Sequence, residues 1–178
     1  SIRWKDNQAT SDVTWLEQKD LGQDCLPPAS GCSAGTAGKT YDKTEVTVYE
    51  TASFLAEKAG SAPGAKDNLE SIALQWRDEA NKTTYIQGAG FDKTLSTSDD
   101  TYTKQIELAD AGGLDANPPA GYDADQKAVH VFSLRSDWLY RTSEAFQLDL
   151  FGDGSLIRIQ SIRWKDNQAT SDVTWLEQ

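Results

Sequence analysis

Methionine is absent from this sequence, histidine occurs once, at His130, and cysteine only at Cys25 and Cys32. A closed zinc site takes four ligands, and one distant histidine beside two cysteines falls short of that. No apolar run approaches the roughly 20 residues a membrane-spanning helix requires, so membrane insertion is not expected. Positive charge is scarce: 17 Lys and Arg stand against 28 Asp and Glu, for a net charge of −11 and an isoelectric point near 4.4. Phosphate recognition needs clustered Lys and Arg, which argues against nucleic acid or an anionic membrane surface as a partner. The GxGxxG, P-loop and HExxH patterns are all missing. His130 lies in KAVHVF, a strand pattern, and reads as a packed structural histidine rather than the base of a Ser-His-Asp triad. Carboxylate pairs for glycoside hydrolysis are set by spatial rather than sequential spacing, and no pair stands out. The sequence therefore reads as that of a non-enzyme. The sequence holds no signal-peptide pattern and reads as mature or internal sequence.

What is present is an exact duplication. Residues 1–18 and 161–178 are both SIRWKDNQATSDVTWLEQ, which sets a period of 160 residues. Three origins fit: a tandem array, an engineered duplication, or a polymer cut at arbitrary boundaries. Repeat architectures announce themselves in this way, which favours the array. On this reading residues 1–160 are one period and 161–178 begin the next. The pattern does not pause at the boundary, because SLIRIQSIRW runs on as one strand without Gly or Pro.

With 38% hydrophobic and 10% aromatic residues, including six Trp, the composition is that of a folded domain rather than a disordered chain. Period-2 alternation dominates. TYTKQIEL (101–108) sets Tyr102, Ile106 and Leu108 on one face. KAVHVFSLR (127–135) sets Ala128, His130, Phe132 and Leu134 against Val129 and Val131, as in a central strand. TEVTVYETASF (44–54) is rich in β-branched and aromatic residues. AFQLDLFGDGSLIRIQ (145–160) reads as a hairpin turning at Gly152-Asp153-Gly154. SIALQWRDEANKTTYIQG (71–88) mixes helical and strand spacing, and the β-propensity of its second half favours a hairpin. LQWRD…TYIQ also echoes IRWKD…TWLEQ, so a period has room for two small related β-modules. Trp4 and Trp15, and their copies Trp164 and Trp175, are expected to face each other across the hairpin. Gly, Pro and Ala gather in 21–39, 57–67 and 110–126, which read as loops. The expected fold is all-β, an antiparallel β-sandwich of immunoglobulin-like or related type, with room for one short helix and repetition in tandem.

The candidate sites follow from these patterns. Cys25 and Cys32, in CLPPASGC, are spaced for a local disulfide, with two buried thiols as the competing reading. Asp110, Asp115, Asp123 and Asp125 in the longest loop, and Asp149 and Asp153 near the Gly-Asp-Gly turn, are oxygen-rich candidates for calcium, though Asp favours turns without any metal. Asn81-Lys82-Thr83 is a glycosylation sequon. Ile162, Trp164, Val173, Trp175 and Leu176 of the second copy are the expected inter-repeat contacts. No other cofactor is expected.

The exact repeat, the acidity, the β-pattern and the loop aspartates together resemble the tandem β-repeats of large bacterial surface adhesins and the subunits of extracellular fibres. That resemblance is one of architecture, without a family motif. It implies an extracellular or cell-surface structural unit, a spacer or fibre building block whose partners are neighbouring copies of itself, joined by strand complementation. The alternative is a carbohydrate-binding β-sandwich module that offers exposed Trp or Tyr to a glycan.

Overall fold

A computed structural model of the chain describes residues 2–5, 8–26, 40–50, 69–108, 128–149 and 156–177. Among these residues ten strands follow one another: β1 (Ile2–Lys5), β2 (Gln8–Asp24), β3 (Tyr41–Glu50), β4 (Leu69–Asp78), β5 (Thr83–Gly88), β6 (Thr101–Leu108), β7 (Ala128–Leu134), β8 (Arg141–Asp149), β9 (Ile157–Lys165) and β10 (Gln168–Glu177). Each pairs with its sequence neighbours in one antiparallel meander sheet that does not close, so β1 and β10 are its edges. The all-β expectation holds, but the architecture is one sheet, and no helix occurs among the described residues. Residues 71–88, whose spacing mixed helix and strand, form the β4–β5 hairpin that their β-propensity favoured. Its turn, Glu79–Lys82, is fastened by Asp78, whose carboxylate accepts from the Asn81 amide (3.3 Å) and from Asn81 Nδ2 (2.7 Å).

The chain divides into two compact units. One comprises Ser1–Cys25, Cys32–Trp76 and Ile86–Asp100. Its described core holds Trp76, fully buried, with Thr47, Cys25 and Gln87. Lys43 stands over the Trp76 ring (5.4 Å) while pairing with Asp24 (2.5 Å). Residues 89–100 form an irregular loop organised by its own acids. Asp92 accepts from the Thr94 amide (2.7 Å), Asp99 from the Thr97 hydroxyl (2.6 Å), and Asp100 from the Ser96 amide (2.7 Å) and Gln87 Nε2 (2.6 Å). Gly90 is required there, because a Cβ would collide with the Asp99 carbonyl and carboxylate.

The other unit comprises Leu26–Gly31, Arg77–Tyr85 and Thr101–Gln178. The alternation in β7 appears as expected: Ala128, Phe132 and Leu134 are buried, while Val129, Val131 and Ser133 are half-buried. Leu148, with no exposed surface, packs with Ala128, and Leu108, Phe146 and Leu156 line the same cluster. Between β7 and β8, Trp138 is buried with a positive φ of 59°. That conformation is costly for a bulky residue. It is held by edge-to-face contacts with Tyr85 (5.7 Å) and Tyr102 (5.1 Å) and by the Trp138 amide donating to the Arg135 carbonyl (2.9 Å).

Both copies of the duplicated segment fold as the same hairpin. In the first, Lys5↔Gln8, Trp4↔Ala9 and Ile2↔Val13 are opposed. In the second, Lys165↔Gln168, Trp164↔Ala169 and Ile162↔Val173 are opposed, each 160 positions on, with the register shift in the same place. The second copy turns on Asp166 and Asn167, both at positive φ (50° and 61°), the conformation of a two-residue type I′ turn. Asn and Asp tolerate that region better than other non-glycine residues. This tight turn overturns the expected Trp–Trp pairing. Trp164 lies opposite Ala169, and Trp175 opposite Gln160, because the turn and the bulge fix a register that separates the two positions. Ile157–Lys165 runs unbroken across position 160, as its sequence pattern predicts.

Candidate functional site: the seat of the repeated hairpin

The strongest polar constellation outside a turn lies where β8 receives the second copy. β8 pairs with β9 through seven residue pairs, from Asp149↔Ile157 to Ser143↔Arg163. Alternation places Glu144 on the same face as Phe146 and Leu148, a carboxylate in an otherwise apolar row. Its side chain is only 12% exposed, and a charge so placed needs partners. It has two: Oε2 accepts from Trp164 Nε1 (2.8 Å), and Oε1 lies 2.5 Å from His130 Nε2. The imidazole stacks on Phe146 (4.0 Å between centroids) and tilts against Phe132 (4.0 Å). The Arg141 guanidinium lies over both Phe132 (4.4 Å) and Trp164 (4.9 Å). The Arg141 amide donates to Asn167 Oδ1 in the hairpin turn (2.9 Å). β8 thus grips the duplicated segment at Trp164 and at Asn167.

Burial is the strongest influence on His130 and pushes its pKa below the ordinary 6.5. Glu144 pulls upward without reversing this, and Arg141 and Lys104 add to the downward push. At neutral pH the ring is therefore uncharged. Glu144 can only accept, so Nε2 carries the hydrogen. The unfolded chain takes up a proton near 6.5 and the folded chain resists it, so stability is fully present above 6.5 and declines as pH falls below that value. Because this is the sole histidine, its ring resonances are assignable by inspection. The expected NMR titration midpoint lies below 6.5 in the folded chain and lower still in Glu144→Gln, which removes the upward influence. A midpoint above 6.5 would refute the assignment of a neutral ring.

The residues expected from sequence fall in several places. Trp164 sits in the seat, and Ile162 lies opposite Glu144 on β8 and Val173 on β10. Val173 and Leu176 lie on β10, 42% and 52% exposed, and the Trp175 backbone lies opposite Gln160. Cys25 is buried just beyond β2, its amide donating to Asp24 (2.8 Å), while Cys32 lies outside the described residues. Asp110, Asp115, Asp123, Asp125 and Asp153 also lie outside them. Asp149 ends β8. Among the described residues no three His, Cys, Asp or Glu side chains gather as a metal site. Asn81 is exposed in the β4–β5 turn.

Sequence reading missed Glu144, Arg141 and Asn167. The available signal was a single charged residue alternating into the apolar row of β8, which becomes legible only once the strand's phase is known. No family model, no curated protein and no solved structure matches the chain.

Proposed function

We propose that this chain is a structural unit of an extracellular or cell-surface assembly, a spacer or fibre building block that joins copies of itself through its sheet edges. One observation carries the reading: the described residues of the duplicated segment pair in one hairpin register twice and take a different neighbour each time, β3 for the first copy and β8 for the second. A segment used in two places by one protein is a connector. The acidic surface suits a solvated polymer whose units must not stick face to face. Trp76 and Trp138, two of the indoles that a glycan platform would need, are buried as core, which supports a structural role for them. Strand insertion, in which one copy reaches out unpaired, has less support than edge joining, because both copies already pair with a strand of the sheet.

Electron microscopy of the native material tests the reading. Filaments or extended stalks with a regular axial repeat are expected. Isolated compact particles at all concentrations would count against it.

A further inference from the structure

We propose that the open edge of β10 is built to receive β3 of a second copy of the 160-residue period following in the same polypeptide. One hairpin is then shared between β8 of one period and β3 of the next. The inference rests on the structural reading above and specifies how the units are joined.

The chain displays both halves of this joint separately. In the first copy, the outer edge of the second arm is taken by β3, with Thr14↔Glu50, Trp15↔Tyr49, Leu16↔Val48 and Glu17↔Thr47 in register. In the second copy, the outer edge of the first arm is taken by β8, with Ser161↔Ala145, Ile162↔Glu144 and Arg163↔Ser143 in register. The two partners use opposite arms, and the internal register of the hairpin is the same in both. One hairpin can therefore accept both without rearrangement. Thr174, Trp175, Leu176 and Glu177 would then stand opposite Glu50, Tyr49, Val48 and Thr47 of the following period.

Two further observations favour this occupant. β10 is a ten-residue edge without proline, and an unprotected edge of that length is a template for another strand. Exposed apolar side chains do not mark an open edge here, since Leu16 is 61% exposed although it stands opposite Val48 of β3. The pair count decides against exchange between separate molecules. A second molecule already holds its own hairpin on β3, so exchange would trade one strand pair for an identical one and lose association entropy. Within one polypeptide the hairpin is held only once, and the pair with β3 is a net gain. Among the described residues, ten strands less the two that recur leave eight per period.

Amide hydrogen exchange tests the joint, with an internal control. Thr14–Glu17 and Thr174–Glu177 are the same residues with different partners: the first set pairs with β3 on its outer side, and the second pairs with β9 on its inner side and not with β3. In the 178-residue chain, the outward amides of Thr174–Glu177 are expected to exchange faster than those of Thr14–Glu17. In a polypeptide with one further period after residue 178, the same amides are expected to slow by about tenfold or more. Unchanged exchange there would overturn the joint. A second measurement uses the chain as it stands. The β3 peptide YDKTEVTVYE at millimolar concentration is expected to slow exchange at Thr174–Glu177, whereas a scrambled peptide is not. Equal behaviour of the two peptides would count against the proposal. Slowing that appears on raising the concentration of the 178-residue chain alone would reject the same-polypeptide form. Regular filaments by microscopy with no protection of these amides would overturn the shared hairpin and leave the structural role standing.

Discussion

Glu144→Ala is expected to destabilise the second hairpin by about 3 kcal/mol, the scale of removing a charged acceptor from two buried hydrogen bonds. The reason is the geometry of the seat. The carboxylate is nearly enclosed and satisfies both the Trp164 indole and the His130 ring. Truncation leaves two partly buried donors, the Trp164 indole and the His130 ring, without their shared acceptor. Glu144→Gln keeps a carbonyl for Trp164 Nε1 and is expected to cost about half as much. Urea unfolding of the two variants reads the loss. The specific claim is the coupling to Trp164: a double-mutant cycle of Glu144→Ala with Trp164→Phe is expected to give an interaction energy of about 1–2 kcal/mol. Additive costs would mean that the two side chains touch without holding each other, and the seat would lose its meaning.

Trp76→Ala is expected to cost about 3–5 kcal/mol, the range for deleting a fully buried aromatic. Trp76 has no exposed surface, and it carries the Lys43 ammonium over its ring. Lys43 in turn holds Asp24, and its hydrogen bond keeps the Asp24 carboxyl below the ordinary carboxylate value of 3.8. The loss is a large part of the 5–15 kcal/mol that keeps an ordinary domain folded. Calorimetry is expected to show the transition of this unit moved down by many degrees or abolished at room temperature. A cost below about 1 kcal/mol would mean that the pocket around the indole collapses freely, against the close packing of protein interiors. The Asp24 contribution has its own pH window. A lowered carboxyl pKa supplies stability above about 3.8 that is lost as pH falls through the folded value, so the His130 loss comes first and the Asp24 loss lies below it, in the same range as those of the other lowered carboxyls, Glu79, Asp99 and Asp137.

What the sequence determined by itself was the local β-pattern. TYTKQIEL and KAVHVFSL became β6 and β7 because alternation over seven or eight residues admits one half-buried conformation. SLIRIQSIRW ran through position 160 because nothing in it can end a strand. The identity of residues 1–18 and 161–178 required that any local preference be shared, and the two hairpins have the same register. The tertiary structure alone decided the rest. A sandwich and a single meander sheet are written in the same alternating code, since alternation specifies which side of a strand is buried and not what covers it. The Trp–Trp pairing failed for a related reason: register depends on the turn, and Asp166-Asn167 closes in two residues where the polar stretch DNQATSD allowed several lengths. Glu144 was invisible as a site because one carboxylate in a row of aromatics gains its meaning from His130 and Trp164, fourteen and twenty residues away. Identical sequences fixed identical hairpins, and only the pairing of whole strands gave each copy its own neighbour.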